Sequence, residues 1–431
     1  MPAYSIPSKT ARSIHAIFSC CSIKPVRKSV VPASSNWFAH LSRSPRNWRI
    51  TVSWSASNFA VISGAAHLGA THRVLAALVA PPLAALLVSA WLAHRRLVPA
   101  VLVSSALFAA AAGLHGRRAH DVFAAFALAA LVVVAVQSLR GERVPWGSWR
   151  DYVTLTKPRI MSLLLVTGVC GMIAGAHGWP GTATAVSLTV GLALACGGAS
   201  ALNHVLDRDI DPLMGERTKR RPVASGRVAP SRALEFGLAL SALSFVLLAS
   251  AVNLLTAALA LVGNLFYVLV YTRWLKRTTP QNIVIGGAAG AVPPLVGWAA
   301  ATGHVGVAAL VLFAIVFVWT PPHFWALALL IKDNYANAKV PMLPVVRGER
   351  ETARQIVLYS LVLVGVTLLP LAWGGAGLVY VAAALALGAV FVWLAERLRR
   401  ETTPRRAALL FHYSLLYLAL LFAALALDLA L

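Results

Sequence analysis

Residues 187–211 read SLTVGLALACGGASALNHVLDRDID. Up to Leu202 the stretch is apolar and rich in small residues, the composition of a lipid-facing membrane helix. Then three acids, Asp207, Asp209 and Asp211, fall within five positions. Charge at membrane depth is costly and usually marks function. The fold and the chemistry both turn on this junction.

The surrounding chain supports a membrane reading. It has 431 residues, of which 59% are hydrophobic and only 12% charged. A soluble domain carries about twice that share of charge. Apolar runs of roughly 17–20 residues recur, each long enough to cross a bilayer as a helix. The short alternating segments of a transmembrane β-barrel are absent. The expected class is an all-α polytopic membrane protein. Lys and Arg number 38 against 14 Asp and Glu. No soluble domain is left over to bind nucleic acid, so the excess is assigned to loops that anchor spans on the cytoplasmic side. Cys170 and Cys196 lie in apolar runs as packing residues. With Cys20 and Cys21 they form no CxxC pair, so neither a disulfide framework nor a zinc site is indicated.

Three regions are expected. Residues 1–60 hold eight Lys and Arg and no acid, and the first acid of the chain is Asp121. This is the composition of an organelle transit peptide or, the favoured reading, of an unstructured tail. Residues 61–140 hold three further candidate spans, near 72–93, 97–114 and 121–139. Residues 150–428 then carry nine, near 160–177, 182–203, 232–251, 254–272, 282–301, 304–320, 354–372, 376–395 and 408–427. Loops between the nine alternate between bare turns such as GWPGT and basic segments carrying seven, three, five and five Lys or Arg. The basic loops therefore face the cytoplasm or matrix. The basic N-terminal region fits this orientation poorly if only three spans precede Lys157.

Asn203, Asp207 and Asp211 stand at i, i+4 and i+8, one stripe at a helix end. Oxygen ligands of this kind suit Mg²⁺, which takes a few carboxylates together with waters and substrate phosphates. Arg217, Lys219, Arg220 and Arg221 follow at once. Carboxylates for the metal beside cations for phosphate make a diphosphate site. The same residues could also be ion pairs in a solvated loop. A second polar island on the same side favours the site: His323, Lys332, Asp333, Asn337 and Lys339.

The motif NHVLDRDID resembles the NxxxDxxxD signature of the intramembrane UbiA-type prenyltransferases. The strings TLTKPRI, DRDIDPLMGERTKRRPVASGRVAP, YTRWLKRTTPQNIVIGGAAGAVPPLVGWAAATG and WTPPHFWALALLIKDNYANAKVPMLPVV resemble their heme-farnesylating branch, the protoheme IX farnesyltransferases or heme O synthases. The resemblance covers residues 150–428. It implies nine helices around a central cavity, with farnesyl diphosphate and heme b as substrates and Mg²⁺ as cofactor. It implies that Asn203, Asp207 and Asp211 hold the metal, with Asp333 as a further catalytic acid. Where related branches carry a second DxxxD, this chain has Asp333 and Asn337, a weakened form. Arg217, Lys219 and Arg220 would bind the diphosphate, with Lys276, Lys332 and Lys339 as further candidates. His323 would ligate or orient the heme iron, or else be a hydrogen-bonded histidine where Pro321 and Pro322 break the span. Tyr271 and Trp325 read as interfacial aromatics. The glycines of GGAAGAVPPLVG predict close helix packing, and its proline pair a helix break. His72 and His120 each begin an N-terminal span, and faintly resemble one half of a heme A synthase, which would make that enzyme a partner or 61–140 its remnant.

A rival within the superfamily would prenylate a quinone precursor or a chlorophyllide. A transporter would show internal repeats and mid-span charge, whereas here the charges sit at span ends. The expected location is a bacterial plasma membrane, with the mitochondrial inner membrane as the alternative. The loop charges make a direct prediction. A cysteine placed at 225 should react with a membrane-impermeant maleimide only after cytoplasmic access is opened, and one at 304 should react from outside. The reverse pattern would invert the topology.

Overall fold

The computed structural model describes residues 147–373 and 377–430, together with two short strands earlier in the chain. The chain divides into two compact units, Met1–Leu75 and Ala76–Leu431. In the first, β1 (Ala39–Ser44) pairs antiparallel with β2 (Asn47–Val52), Leu41 opposite Ile50 and Arg43 opposite Trp48. The tail reading predicts no regular structure there. The aromatic and β-branched residues of NWRITV give a local reason for a strand. The three candidate spans of 61–140, with His72 and His120, lie outside the described residues.

The described part of the second unit is all-α. Nine of its helices are long and apolar enough to cross a membrane. A short helix, α1 (Trp149–Thr156), comes first, and the spans are α2 (Pro158–Ala176), α3 (Thr182–Leu206), α5 (Pro230–Ala251), α6 (Leu254–Thr278), α7 (Asn282–Thr302), α8 (Val307–Leu330), α11 (Gly348–Thr367), α12 (Leu378–Arg400) and α13 (Pro404–Ala430). Three short helices lie in the basic loops: α4 (Glu216–Lys219), α9 (Lys332–Asn337) and α10 (Leu343–Val346). α3 packs on α5, α2 on α7, α7 on α8 and α12 on α13. α13 in turn touches α2 and α8, which closes the bundle.

Two corrections follow from this packing. α3 faces outward along only part of its surface, at Val186 and Val190: it is the most buried of the nine spans. Nor do the proline pairs end helices. α7 runs through Pro293 and Pro294, and α8 continues ten residues beyond Thr320, through Pro321 and Pro322, to Leu330. Stopping a helix inside a bilayer would leave several backbone groups without partners, whereas a proline removes a single hydrogen bond.

Small residues and polar side chains hold the spans together, since lipid offers no hydrophobic drive between helices. At the α2–α7 crossing the backbones touch. A Cβ on Gly297 would lie 1.8 Å from the Gly168 carbonyl oxygen, and one on Gly171 would lie 2.6 Å from that of Pro294. Ser244 on α5 donates to the Gly191 carbonyl of α3 at 2.7 Å, and Asn264 on α6 donates to Ala195 of α3 at 3.0 Å. The Asn253 amide donates to Ala299 of α7 at 2.9 Å.

Within α6 the residues Phe266–Leu275 are wound as a π-helix. Such segments are rare and concentrate at functional sites.

Gly297→Ala should destabilise the detergent-solubilised protein by about 1–3 kcal/mol, because two backbones must part. A Cβ on Gly290 of the same helix meets nothing within 4 Å, so Gly290→Ala should be neutral or stabilising by up to about 1 kcal/mol. Thermal unfolding of both variants checks the pair; equal losses would refute the crossing.

Candidate active site

The path to the site begins at α1. Ser148 and Asp151 form a capping box, the Asp151 carboxylate accepting from the Ser148 amide at 2.9 Å. Arg227 of the α4–α5 loop donates to the other Asp151 oxygen at 2.8 Å, fastening α1 to that loop. Ser200 of α3 donates to the Leu155 carbonyl at 2.6 Å, fastening it to the bundle. Proline disfavours right-handed helical backbone in the residue before it. Lys157, before Pro158, takes a left-handed conformation with φ 51°. The chain turns there, and the Lys157 ammonium donates to Asn203 Oδ1, the side-chain amide oxygen, at 2.8 Å.

Asn203, Asp207 and Asp211 lie together, as their spacing predicts, and all are buried, at 3%, 1% and 0% exposure. The Asn203 amide donates to Asp207 at 2.9 Å and to Thr272 Oγ1 at 3.1 Å. Lys276 Nζ sits 2.6 Å from Asp207 Oδ2 and is itself buried. Thr272 and Lys276, four apart, come from the π-helical segment of α6 and the turn after it. Arg221 donates to Asp211 Oδ1 at 2.6 Å. Burial raises the Asp211 carboxyl despite that partner. Burial and the nearby Arg221 charge push the Lys157 ammonium down to about 7.

Asp209, the third acid of the cluster, points elsewhere. Its side chain is 58% exposed and takes a two-pronged contact from Arg277, at 2.6 and 2.7 Å, which holds its carboxyl down to about 2. Arg277 NH2 also lies 3.9 Å from Asp207 Oδ1.

The arrangement has two unmet demands. Asp207 Oδ1 and Asp211 Oδ2 are buried and accept no hydrogen bond. A buried carboxylate oxygen in that state costs several kcal/mol unless a cation or donor meets it. With Arg277 matched to Asp209, Lys157, Lys276 and Arg221 still outnumber the two buried carboxylates. The cluster lacks a hydrogen-bonding or metal partner at two oxygens, Arg277 standing off at 3.9 Å from one of them, and an anion for its excess positive charge. A divalent cation bound to a diphosphate supplies both. Two carboxylates and an amide fit Mg²⁺, which keeps waters and substrate phosphates in its shell. No group of three or more His, Cys, Asp or Glu stands close enough to hold a metal among the described residues, so a tight all-protein zinc-type site is not offered.

The other expected residues are more scattered. Arg217 is exposed, and Lys219 and Arg220, 61% and 80% exposed, pair with Glu216 of their own helix. Lys332 pairs with Glu349 at 2.6 Å, and Asp333 and Lys339 are exposed. The second polar island does reach the first, through different residues. A Cβ on Gly215, where φ is +97°, would lie 3.2 Å from the Asn334 amide. Tyr335, Ala338 and Val340 join Ile210 and Met214 in one core. Tyr271 packs against Gly286 of α7 and stacks on Tyr267 at 5.5 Å, and Trp325 is buried with its indole N–H unpartnered, so neither is an interfacial anchor. Residues outside the expected set are Lys157, Thr272, Arg221 in its role on Asp211, and His204, both of whose ring nitrogens are buried without partners. Lys157 stands 46 positions from Asn203, beyond any local pattern, although its place in TKPRI was a signal.

A model of the UbiA prenyltransferase family matches residues 164–424. A Thermus thermophilus protein named protoheme IX farnesyltransferase is 52% identical over 292 residues, 67% of this chain but 48% of that protein, so the match spans about half of it. A protein of the same name from Symbiobacterium thermophilum is 54% identical over 281 residues, 65% of this chain and 94% of that one. The fold is also that of a solved digeranylgeranylglyceryl phosphate synthase, with a TM-score of 0.55 at 16% identity over 65% of this chain and 98% of that one. With the family model spanning well over half its length, this multi-pass membrane chain belongs to the UbiA prenyltransferase family.

Proposed function

We propose that the chain transfers the farnesyl group of farnesyl diphosphate to the 2-vinyl group of protoheme IX, heme b, giving heme O. The observation that carries the prenyl-transfer half is the pair of orphaned buried oxygens, Asp207 Oδ1 and Asp211 Oδ2, inside an excess of cations. The heme half rests on the names of the similar proteins.

In this reading Asn203, Asp207 and Asp211 hold Mg²⁺, which supplies Lewis-acid neutralisation of the diphosphate. Lys276 and Arg221, already buried on the two carboxylates, receive charge as the diphosphate departs, with Lys157 on Asn203 as a third cation. Their charge favours the dissociating state over the ground state because it meets charge that develops only on ionisation. The C1–O bond breaks with its electron pair left on the diphosphate. The terminal vinyl carbon of the heme then bonds to the allylic C1. The cation left beside the porphyrin takes the oxygen of a water, which loses a proton. No side-chain nucleophile is required. Apolar packing around Tyr335, Ile210 and Met214 keeps water from the allylic cation. Arg217, Lys219, Arg220, Lys332, Lys339 and Asp333 serve at the cytoplasmic mouth, guiding the diphosphate rather than gripping it. Bacterial relatives favour a plasma membrane location.

Heme O production in membranes of a heme-O-deficient bacterium tests the proposal. Asp207→Asn and Asp211→Asn should each lower it by about 10²-fold or more, the scale seen when one electrostatic catalytic group is removed. If both variants make heme O at the native rate, the metal assignment falls; if the native chain makes none, the heme assignment falls.

A second test separates folding from catalysis. Lys276→Met alone leaves the buried Asp207 with the Asn203 amide and a distant Arg277 in place of its close cation, and should cost up to about 3–5 kcal/mol of stability. Lys276→Met with Asp207→Asn should recover most of that loss, yet remain inactive. Recovery of activity in the double variant would show that the pair is only structural.

A further inference from the structure

Lys157 and Arg221 carry like charge and stand close enough to feel one another. They come from separate segments, the α1–α2 turn and the α4–α5 loop. Left to themselves, two such cations move apart. One side chain, outside both sequence motifs, ties the two segments together.

Arg227 lies six residues beyond Arg221, and its guanidinium is spread over three partners. Nε donates to Asp151 Oδ1 of α1 at 2.8 Å, one terminal nitrogen to the Arg220 carbonyl at 3.0 Å, and the other to Ser225 Oγ at 2.9 Å. The Ser225 hydroxyl gives its own proton to the Arg221 carbonyl at 2.8 Å. The carbonyls on both sides of the Arg221 α-carbon are therefore held, which sets the direction in which its side chain leaves toward Asp211. At the far end, Asp151 Oδ2 accepts from the Ser148 amide at 2.9 Å and the Ser148 hydroxyl at 2.8 Å. The Ser148 amide and Arg227 hold the Asp151 carboxyl down to about 2. Beneath the contact Leu155 of α1 shares an apolar core with Val205 of α3 and with Val223 and Val228 of the loop. Lys157 follows Leu155 by two residues.

The Arg227 side chain is 47% exposed. An ion pair so open to water adds little stability. Its planar fork, however, presents donors in fixed directions, and here each direction serves a different piece of chain. A lysine would keep the charge and lose the fork. We infer that Arg227, anchored on Asp151, is a positioning residue for the diphosphate, holding Arg221 and the Lys157 turn at the spacing the two phosphates require. This rests on the diphosphate reading above and deepens it.

The full chain in detergent, with saturating Mg²⁺, is titrated calorimetrically with farnesyl diphosphate and with farnesyl monophosphate, and thermal unfolding is followed without either. The native chain should prefer the diphosphate. Arg227→Gln and Arg227→Lys should each weaken diphosphate binding by on the order of tenfold, leave monophosphate binding nearly unchanged, and unfold where the native chain does. Asp151→Asn, which keeps an acceptor for Ser148, should do the same. Combined with Arg227→Lys it should add little, because both act through one contact. Native diphosphate affinity in Arg227→Lys would show that charge alone matters and overturn the proposal. Additive losses in the double variant would overturn it, as would equal losses for both ligands or a fall in unfolding temperature that accounts for them. Native affinities in every variant would do the same and leave the diphosphate reading standing. A native chain that binds no farnesyl diphosphate would overturn both.

Discussion

A carboxylate cannot be carried to the buried end of a membrane helix without a cation to meet it. In this chain the contact between Asp207 and Lys276, 2.6 Å long and almost wholly buried, satisfies that requirement, and much of the bundle is arranged around it. Lys276 must come from a second span, so α6 has to reach α3. Asn203 bridges the two through Thr272. Arg221 must return from the loop to Asp211, which requires a chain reversal between them. Such buried pairs add little net stability, since desolvation offsets attraction. Their value here is that the charges are already dehydrated and aimed before any ligand arrives.

The helices around this pair are placed by the opposite kind of residue. Gly168, Gly171 and Gly297 have no side chains to keep α2 and α7 apart. Close approach there fixes α2, and α2 carries Lys157 at its N-terminal cap. Gly198 and Gly237 bring α3 and α5 similarly close, a Cβ on Gly198 lying 2.8 Å from the Gly237 carbonyl. Small residues in the membrane thus decide where large charged ones stand at its edge.

The spans were legible in the sequence because each is a long apolar run between charged loops. Helix ends were less legible where proline intervened. Pro321 and Pro322 read as a break in water-based logic, but the bilayer reverses the balance and α8 runs on. The stripe of Asn203, Asp207 and Asp211 was legible because its logic is local, the last turn of α3, its C-cap and the short turn that follows. The cations on it were legible only in part: Arg221 stood in the basic run and Lys276 among the further candidates, but Lys157 was not expected. Arg217, Lys219 and Arg220 were nearest in sequence, but Lys157, Lys276 and Arg221 arrive through folding, from 46, 69 and 10 positions away from their partners. Adjacent lysines and arginines look alike in a string, yet in the fold Arg221 alone of this run turns in to Asp211 while Arg217, Lys219 and Arg220 stay exposed.

The π-helical winding of Phe266–Leu275 sets the phase of everything after it. Each residue of an ordinary helix turns the chain by about 100°, so wider winding delays that rotation. Lys276 faces Asp207 only because the delay has accumulated by the time the chain reaches it. The span therefore behaves like a combination dial whose last digit is the lysine. Loss of one residue from the segment would leave an apolar helix of adequate length in the membrane, and would turn the lysine away from the acid it serves.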